Sequence, residues 1–296
     1  MTSASDSATP DEVAERLRTT GYLADPALAT VTFLAMRMQR PLLVEGEPGT
    51  GKTALAEAIA ASFDLPLVRL QCYEGIDATQ ALYDWDFPRQ ILHLRALEAT
   101  GRVDPDLLPE AEKSLYDERF LLARPVLAAL QRSPAVLLVD EVDRADDEFE
   151  AFLLEVLSTY QVSIPEFGTV VAATPPVVLL TSNRTRDLHD ALKRRCLYHW
   201  IDHPGLDREV EIVRSRAPEV SAELTRQVVE VVQRLRGAGL QKPPGVAETI
   251  DWARALHQLG TTALDLESAA RTLGALVKYR EDGQKVQQAL DQMLRS

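Results

Sequence analysis

From residue 41 the chain alternates short apolar runs with longer stretches of helical spacing. Five runs, near 41–45, 66–72, 135–140, 176–182 and 197–202, have strand length, and the first four are rich in Val and Leu. Runs that are apolar on both sides read as strands buried on both faces, and their alternation with helices predicts a parallel sheet covered above and below. Ahead of them a polar tail reaches to about residue 9, and helices then run through Gln39 with Pro26 as a break. From Gly205 the strands give way to helical stretches at Asp207–Ala217, Ser221–Gly237, Gly245–Leu259 and Leu264–Tyr279, and a charged helix runs on to about Ser296. Pro243-Pro244-Gly245 marks a turn between two of these helices. The organisation expected is an α/β core over 1–204 and a helical unit over 205–296, without internal repeats.

Two local patterns refine this. Phe149, Phe152, Leu153, Val156, Leu157 and Tyr160 fall at helical spacing, so Asp146, Asp147 and Glu148 belong to a first helical turn, where negative charge suits the dipole. Gln161 to Val170 reads as a hairpin, with β-branched residues on either side of a Pro/Gly turn.

Gly46-Glu47-Pro48-Gly49-Thr50-Gly51-Lys52-Thr53 lies between the first apolar run and a helix-like run from Thr53 to Phe63. A strand delivers the chain into a glycine-rich turn whose N–H groups converge on phosphate oxygens, and the helix N-terminus adds its positive end. The glycines let the backbone wrap closely around phosphate. Lys52 suits the β- and γ-oxygens and the Thr53 hydroxyl suits Mg²⁺, so ATP with Mg²⁺ is the expected ligand. The bland alternative is a glycine-rich turn before a buried helix.

A second motif turns binding towards hydrolysis. Ala135 to Val139 is an apolar strand that ends in Asp140 and Glu141. Asp140 is expected to hold Mg²⁺, and Glu141 to orient and polarise the attacking water. An acidic loop at a strand end is the plainer reading of that pair.

The glycine-rich P-loop Gly46 to Thr53, Leu138 to Ala145, Leu179 to Arg184 and Ala191 to Cys196 together resemble the MoxR branch of AAA+ ATPases over nearly the whole chain. Within that branch, Leu70 to Asp77 and Tyr83 to Gln90 resemble the ATPase that accompanies molybdenum-containing carbon monoxide dehydrogenase. The resemblance implies an αβα P-loop NTPase sandwich with a five-stranded parallel sheet, strand order 5-1-4-3-2, and a C-terminal α-helical lid. It implies that Asn183 is the sensor 1 residue that helps to place the hydrolytic water. Arg195 matches the arginine finger that enters a neighbouring subunit's site, with Arg194 as the adjacent alternative; a solvated basic helix end is the plainer reading. The stretch Gly245 to Arg254 has no arginine at the expected sensor 2 place, although Arg254 follows shortly after, so sensor 2 stays unassigned. Ile76 to Gly101 resembles the family's helix 2 insert, in which Trp85 and Phe87 either pack on the ATPase body or meet a partner. The family further implies a homo-oligomer, expected as a hexameric ring, which remodels a client protein. For this group the client implied is a molybdenum hydroxylase and the partner a von Willebrand factor A (VWA) domain protein. A P-loop small-molecule kinase and a nucleotide-binding structural subunit are the alternatives from other classes.

Composition changes the picture little. The chain has 296 residues, 46% of them apolar, which suits a soluble α/β domain with a smaller companion. No apolar run approaches the ~18 residues of a membrane span, and Met1 to Asp11 is polar rather than a signal peptide, so a cytoplasmic location is expected. The net charge is −13, from 32 basic and 45 acidic residues, which disfavours nucleic acid as a partner. Cys72 and Cys196 are too few for a disulfide framework. Cys196, His199 and His203 form a string that an extended strand would scatter onto opposite faces, which argues against a zinc site.

Overall fold

The computed structural model of this chain describes residues 9–99 and 114–294. The tail before residue 9, the end of the expected insert at Gly101 and the last two residues of the charged helix lie outside the described residues.

Two helices open the chain, α1 (Pro10–Thr19) and α2 (Pro26–Met38). Each begins with proline behind a side-chain cap: Thr9 Oγ1 accepts from Glu12 N, and Asp25 Oδ1 accepts from Leu28 N. The core elements then follow as β1 (Leu42–Gly46), α3 (Lys52–Ser62), β2 (Leu67–Gln71), α4 (Ala78–Leu82), β3 (Tyr83–Trp85), α5 (Phe87–Ala99), β4 (Leu121–Ala123), α6 (Pro125–Gln131), β5 (Val136–Asp140), α7 (Asp147–Thr159), β6 (Gln161–Ile164), β7 (Gly168–Val171), β8 (Val177–Ser182), α8 (Asp190–Arg195) and β9 (Leu197–Ile201). Helices α9 (Leu206–Arg216), α10 (Ala222–Arg236), α11 (Val246–Gln258), α12 (Leu266–Leu276) and α13 (Arg280–Leu294) complete it.

The main sheet has the order β2-β5-β8-β1-β9 and is parallel throughout. Counting its strands along the chain gives 5-1-4-3-2 from the β9 edge, as the resemblance implied. Alternate residues of the three central strands, β1, β5 and β8, feed opposite cores. Leu43, Leu137, Val139 and Leu180 face α6 and α7, whereas Leu42, Val44, Leu138 and Leu179 face α1, α2 and α3. This double burial is why β1, β5 and β8 read as continuous apolar runs, whereas the edge strands β2 and β9 are partly exposed.

The smaller elements show what the pattern did and did not disclose. The expected hairpin forms as β6 paired antiparallel with β7. Asp146 stands one step ahead of its expected turn, as the N-cap of α7, accepting from Phe149 N at 2.9 Å. In the insert, β3 pairs antiparallel with β4, a ribbon too short to register as an alternating pattern. Of the two aromatic residues, Trp85 packs on the body, 9% exposed and edge-on to Tyr83 and Tyr116, while Phe87 is 59% exposed.

Helices α9 to α13 pack around a core of their own, centred on the fully buried Trp252, whose Nε1 donates to Thr272 Oγ1 at 2.8 Å. Among the described residues no helix is long and apolar enough to cross a membrane. The polar pin of this bundle is Glu209, fully buried, which accepts from both Arg236 nitrogens at 2.7 Å and from Gln233 and Thr249 at 2.7 Å. These bonds join α9, α10 and α11. Removing one partner strands a buried charge, which costs about 3–5 kcal/mol. We therefore expect Arg236→Ala to destabilise the chain by about that amount in urea unfolding, and a loss below ~1 kcal/mol would contradict the pinning role.

Candidate functional site

The site is built where the strands of the parallel sheet end together. β1 runs into the glycine-rich loop, in which Gly49 and Gly51 have φ of +80° and +93°, a region that side chains rarely tolerate. A Cβ on Gly46 would collide with the Ile201 carbonyl of the neighbouring strand. Lys52 opens α3 and folds back over the loop, its Nζ donating to Gly46 O at 2.8 Å and Glu47 O at 2.7 Å. Burial lowers its pKa, while Asp143, Asp140, Glu141 and Glu47 oppose the shift.

Opposite this loop is the tip of β5. Asp140, 3% exposed, accepts from Thr53 Oγ1 at 3.1 and 3.3 Å and from Thr181 Oγ1 at 2.5 Å, and it pairs with Arg69 Nη2 at 2.5 Å. Glu141 follows in the left-handed region, φ +54°, and its N–H donates to Thr181 Oγ1 at 2.9 Å. That turn swings its carboxylate towards Gln71 Nε2 at 3.2 Å, Arg144 Nε at 2.8 Å and Asn183 Nδ2 at 3.5 Å. Thr53, Asp140, Glu141 and Asn183 are thus brought together from α3, β5 and the end of β8.

Asp143, three residues after Asp140, is a further buried carboxylate to which the sequence pattern assigned no role. It is 2% exposed and accepts from Asn183 N at 3.2 Å, Thr185 N at 2.8 Å and Thr185 Oγ1 at 2.7 Å. It ties the loop after β8 to the short 3-10 turn Val142–Arg144 that follows Glu141. Arg69, Gln71 and Thr181 were missed as well. Their one sequence signal was polarity within strand runs, which gains meaning only once strand neighbours are known.

The loop and these carboxylates form one wall of a cleft of about 720 Å³. Tyr22 and Leu28, Trp200 and Ile201, and the helices α9 and α11 close it. Desolvation first, then Asp25, push the Tyr22 phenol up, which keeps it neutral. Helix α11 docks directly on the glycine-rich loop: Val246 N donates to Gly49 O at 3.0 Å and Ala247 N reaches the same oxygen at 3.4 Å. Its cleft-facing residues are Val246, Ala247 and Ile250. Arg254 does not line the cleft; its Nε pairs with Glu219 at 3.2 Å and its Nη2 donates to Arg216 O. Arg208 and Arg216 of α9 do line it, and Arg208 is held by Glu211 at 2.6 Å and Ala24 O at 3.0 Å.

Neither Arg194 nor Arg195 lines this cleft. Arg195 Nη2 donates to Ser158 O at 2.6 Å, whereas the Arg194 side chain is exposed. Arg40 fixes this helix end by donating to the carbonyls of Arg194 at 2.8 Å and Arg195 at 2.9 Å. Of the Cys196, His199, His203 string, Cys196 is buried with its thiol pushed up to about 12 by desolvation, His199 lines the cleft, and His203 Nε2 lies 3.0 Å from Glu47 Oε2.

The docking of α11 leaves no room at its cap. A Cβ on Gly245 would lie 2.9 Å from Gly49 Cα and 2.9 Å from Pro48 O. Gly245→Ala is expected to lift α11 off the loop, so that the Val246 and Ala247 amides exchange hydrogen at least ~10-fold faster. Unchanged protection there would contradict the contact.

Three relatives mark where this chain stands. An uncharacterised protein of Staphylococcus haemolyticus is 22% identical over 263 residues, 86% of this chain and 90% of its own. The ATP-dependent zinc metalloprotease FtsH of Methylococcus capsulatus is 25% identical over 283 residues, 90% of this chain but 36% of FtsH. Over 48 residues, 16% of this chain and 1% of the other, it is 48% identical to Midasin of Giardia intestinalis. Among solved structures, Thermotoga maritima RuvB aligns with a TM-score of 0.46 at 15% identity, over 92% of this chain and 71% of that one, too loosely to argue from. Residues 41–196, from the start of β1 to the end of α8, match the family described as AAA domain, dynein-related subfamily, and with the glycine-rich loop, the Asp140-Glu141 tip and Asn183 all inside that span, this chain belongs to that family.

Proposed function

We propose that this chain binds ATP with Mg²⁺ in the cleft, hydrolyses it, and uses the cycle to remodel a client protein as a MoxR-type AAA+ ATPase. AAA domains are in general nucleotide-binding ATPase domains and commonly oligomerise. The observation that carries the reading is the convergence of Thr53, Asp140, Glu141 and Asn183 beside the glycine-rich loop.

The roles follow from chemistry. Gly46 to Thr53 cradle the phosphates, and Lys52 exchanges its bonds to the Gly46 and Glu47 carbonyls for the β- and γ-oxygens. Thr53 Oγ1 and Asp140 are oxygen donors 3.1 Å apart, a donor set that suits Mg²⁺, and these two residues would hold it. The ion supplies neutralisation of phosphate charge. Glu141 accepts a hydrogen bond from the attacking water and Asn183 orients that water. Water adds to the γ-phosphorus as the β–γ bridging bond breaks, leaving ADP and phosphate. Arg195 is the finger in trans, with Arg194, exposed and outside its own chain's cleft, as the neighbouring alternative.

Residues 1–204 are the ATPase core and 205–296 the lid, whose contact with Gly49 supports a coupling of nucleotide state to lid position. The working assembly is a homo-oligomer, a hexamer in this reading, in the cytoplasm. The sequence resemblance supports a VWA-domain partner and a molybdenum hydroxylase of the carbon monoxide dehydrogenase type as client. A small-molecule kinase leaves Asn183 and the paired arginines without a task, and a structural subunit without turnover leaves Glu141 without one.

Glu141→Gln is expected to keep ATP affinity and lower turnover by ~10²-fold or more, whereas Lys52→Ala weakens binding itself; nucleotide binding and phosphate release measure both. Normal turnover in Glu141→Gln would refute its role. Arg195→Ala subunits should bind ATP normally but hydrolyse it poorly, losing a finger worth ~10³–10⁵ in rate. Mixed with Lys52→Ala subunits they should regain activity, because some interfaces then pair an intact loop with an intact finger. A mixture of demonstrably exchanging subunits that stays inactive at all ratios would contradict a shared site.

A further inference from the structure

Glu45, the last side chain before the glycine-rich loop, has no part in the chemistry above. It lies 4% exposed at the end of β1, where Leu42, Leu43 and Val44 are fully buried. A carboxylate here costs several kcal/mol more to bury than another aliphatic side chain unless it is well partnered. Its partners come from two other strands and the loop beyond them. Ser182 Oγ donates to Glu45 Oε1 at 3.3 Å, Tyr198 OH donates to Oε2 at 3.1 Å, and Arg184 Nε lies 3.8 Å from Oε2.

Ser182 and Arg184 flank Asn183. The Ser182 hydroxyl, while donating to Glu45, accepts from Arg184 N at 3.0 Å. Arg184 has φ +55°, a conformation uncommon for a residue with a side chain, and its guanidinium also lies 5.8 Å from the centre of the Trp200 ring. Asp143 holds the other side of the same turn through Asn183 N and Thr185 N. Asn183 therefore stands between two carboxylates that grip its neighbours, and its Nδ2 reaches Glu141 at 3.5 Å, the outer limit of a hydrogen bond.

We propose that Glu45 is a positioning residue for Asn183: through Ser182 and Arg184 it sets the turn that carries the Asn183 amide to Glu141. The proposal rests on the ATPase reading for its effect on rate, but not for its effect on the turn. Glu45 does not line the cleft itself, and links the start of the glycine-rich loop to the end of β8.

Two variants test it. Glu45→Gln keeps the volume and removes the charge that attracts Arg184, and Arg184→Gln removes the same pairing from a half-exposed side chain, where folding is not at stake. Both should retain ATP affinity and KM within about twofold and lower kcat about tenfold, and the double variant should fall no further, since both changes break one linkage. Arg184→Lys should recover part of the loss. Hydrogen exchange at Asn183 to Thr185 should rise about tenfold in Glu45→Gln while the α3 amides keep their protection. Unchanged exchange in that turn overturns the proposal whatever the turnover. So does a rise in KM that accounts for the lost rate, which would make Glu45 a binding residue. If the unmodified protein has no turnover, the ATPase reading fails, while the exchange measurement still decides the role of Glu45.

Discussion

Asp140 is a carboxylate held 3% exposed at the end of an apolar strand, with Thr53, Thr181 and Arg69 converging on it from α3, β8 and β2. A charge buried to this degree is tolerated only when hydrogen bonds and an opposite charge surround it. Each partner is delivered by a different element, so satisfying Asp140 fixes the registers of the sheet. Gln71 stands opposite Asp140 across the β2–β5 pair, and Val139 stands opposite Leu180 across β5–β8. A one-residue slip in either pair would turn these side chains to the wrong face and send the carboxylate into the core. The glycine-rich loop, the Glu141 turn and the Asn183 turn are all placed by the same alignment of strand ends.

The second organising contact joins the C-terminal helices to that alignment. The amides of Val246 and Ala247 meet the Gly49 carbonyl, and two glycines face each other where no Cβ fits. Helix α11 and the glycine-rich loop are therefore connected backbone to backbone. The cleft-facing residues at the start of α11 are Val246, Ala247 and Ile250, none of them a cation. The cations of the C-terminal helices that line the cleft, Arg208 and Arg216, come from α9.

Much of this was legible in the sequence, for physical reasons. Strands buried on both faces write themselves as apolar runs, and a glycine-rich turn between strand and helix has few other uses. The roles of Asn183 and Arg195 could not be read that way and came from family resemblance. Glu45, Asp143, Arg69 and Gln71 stayed silent because each acquires its meaning from a neighbour 40 or more positions away, as with Asp143 and Thr185 at a separation of 42 and Arg69 and Asp140 at 71. Trp85 and Phe87 look alike as aromatic residues of one insert. Only the β3–β4 ribbon separates the buried ring from the exposed one.

If Asp140 and Thr53 together hold the cation that accompanies the triphosphate, ATP binding should depend on Mg²⁺ through Asp140. Calorimetric titration of ATP with and without Mg²⁺, on the unmodified chain and on Asp140→Asn, measures this directly. Mg²⁺ should tighten binding at least ~10-fold in the unmodified protein and have little effect in Asp140→Asn, with metal-free affinity similar in both. An equal Mg²⁺ dependence in the two proteins would show that the carboxylate at the tip of β5 does not hold the metal.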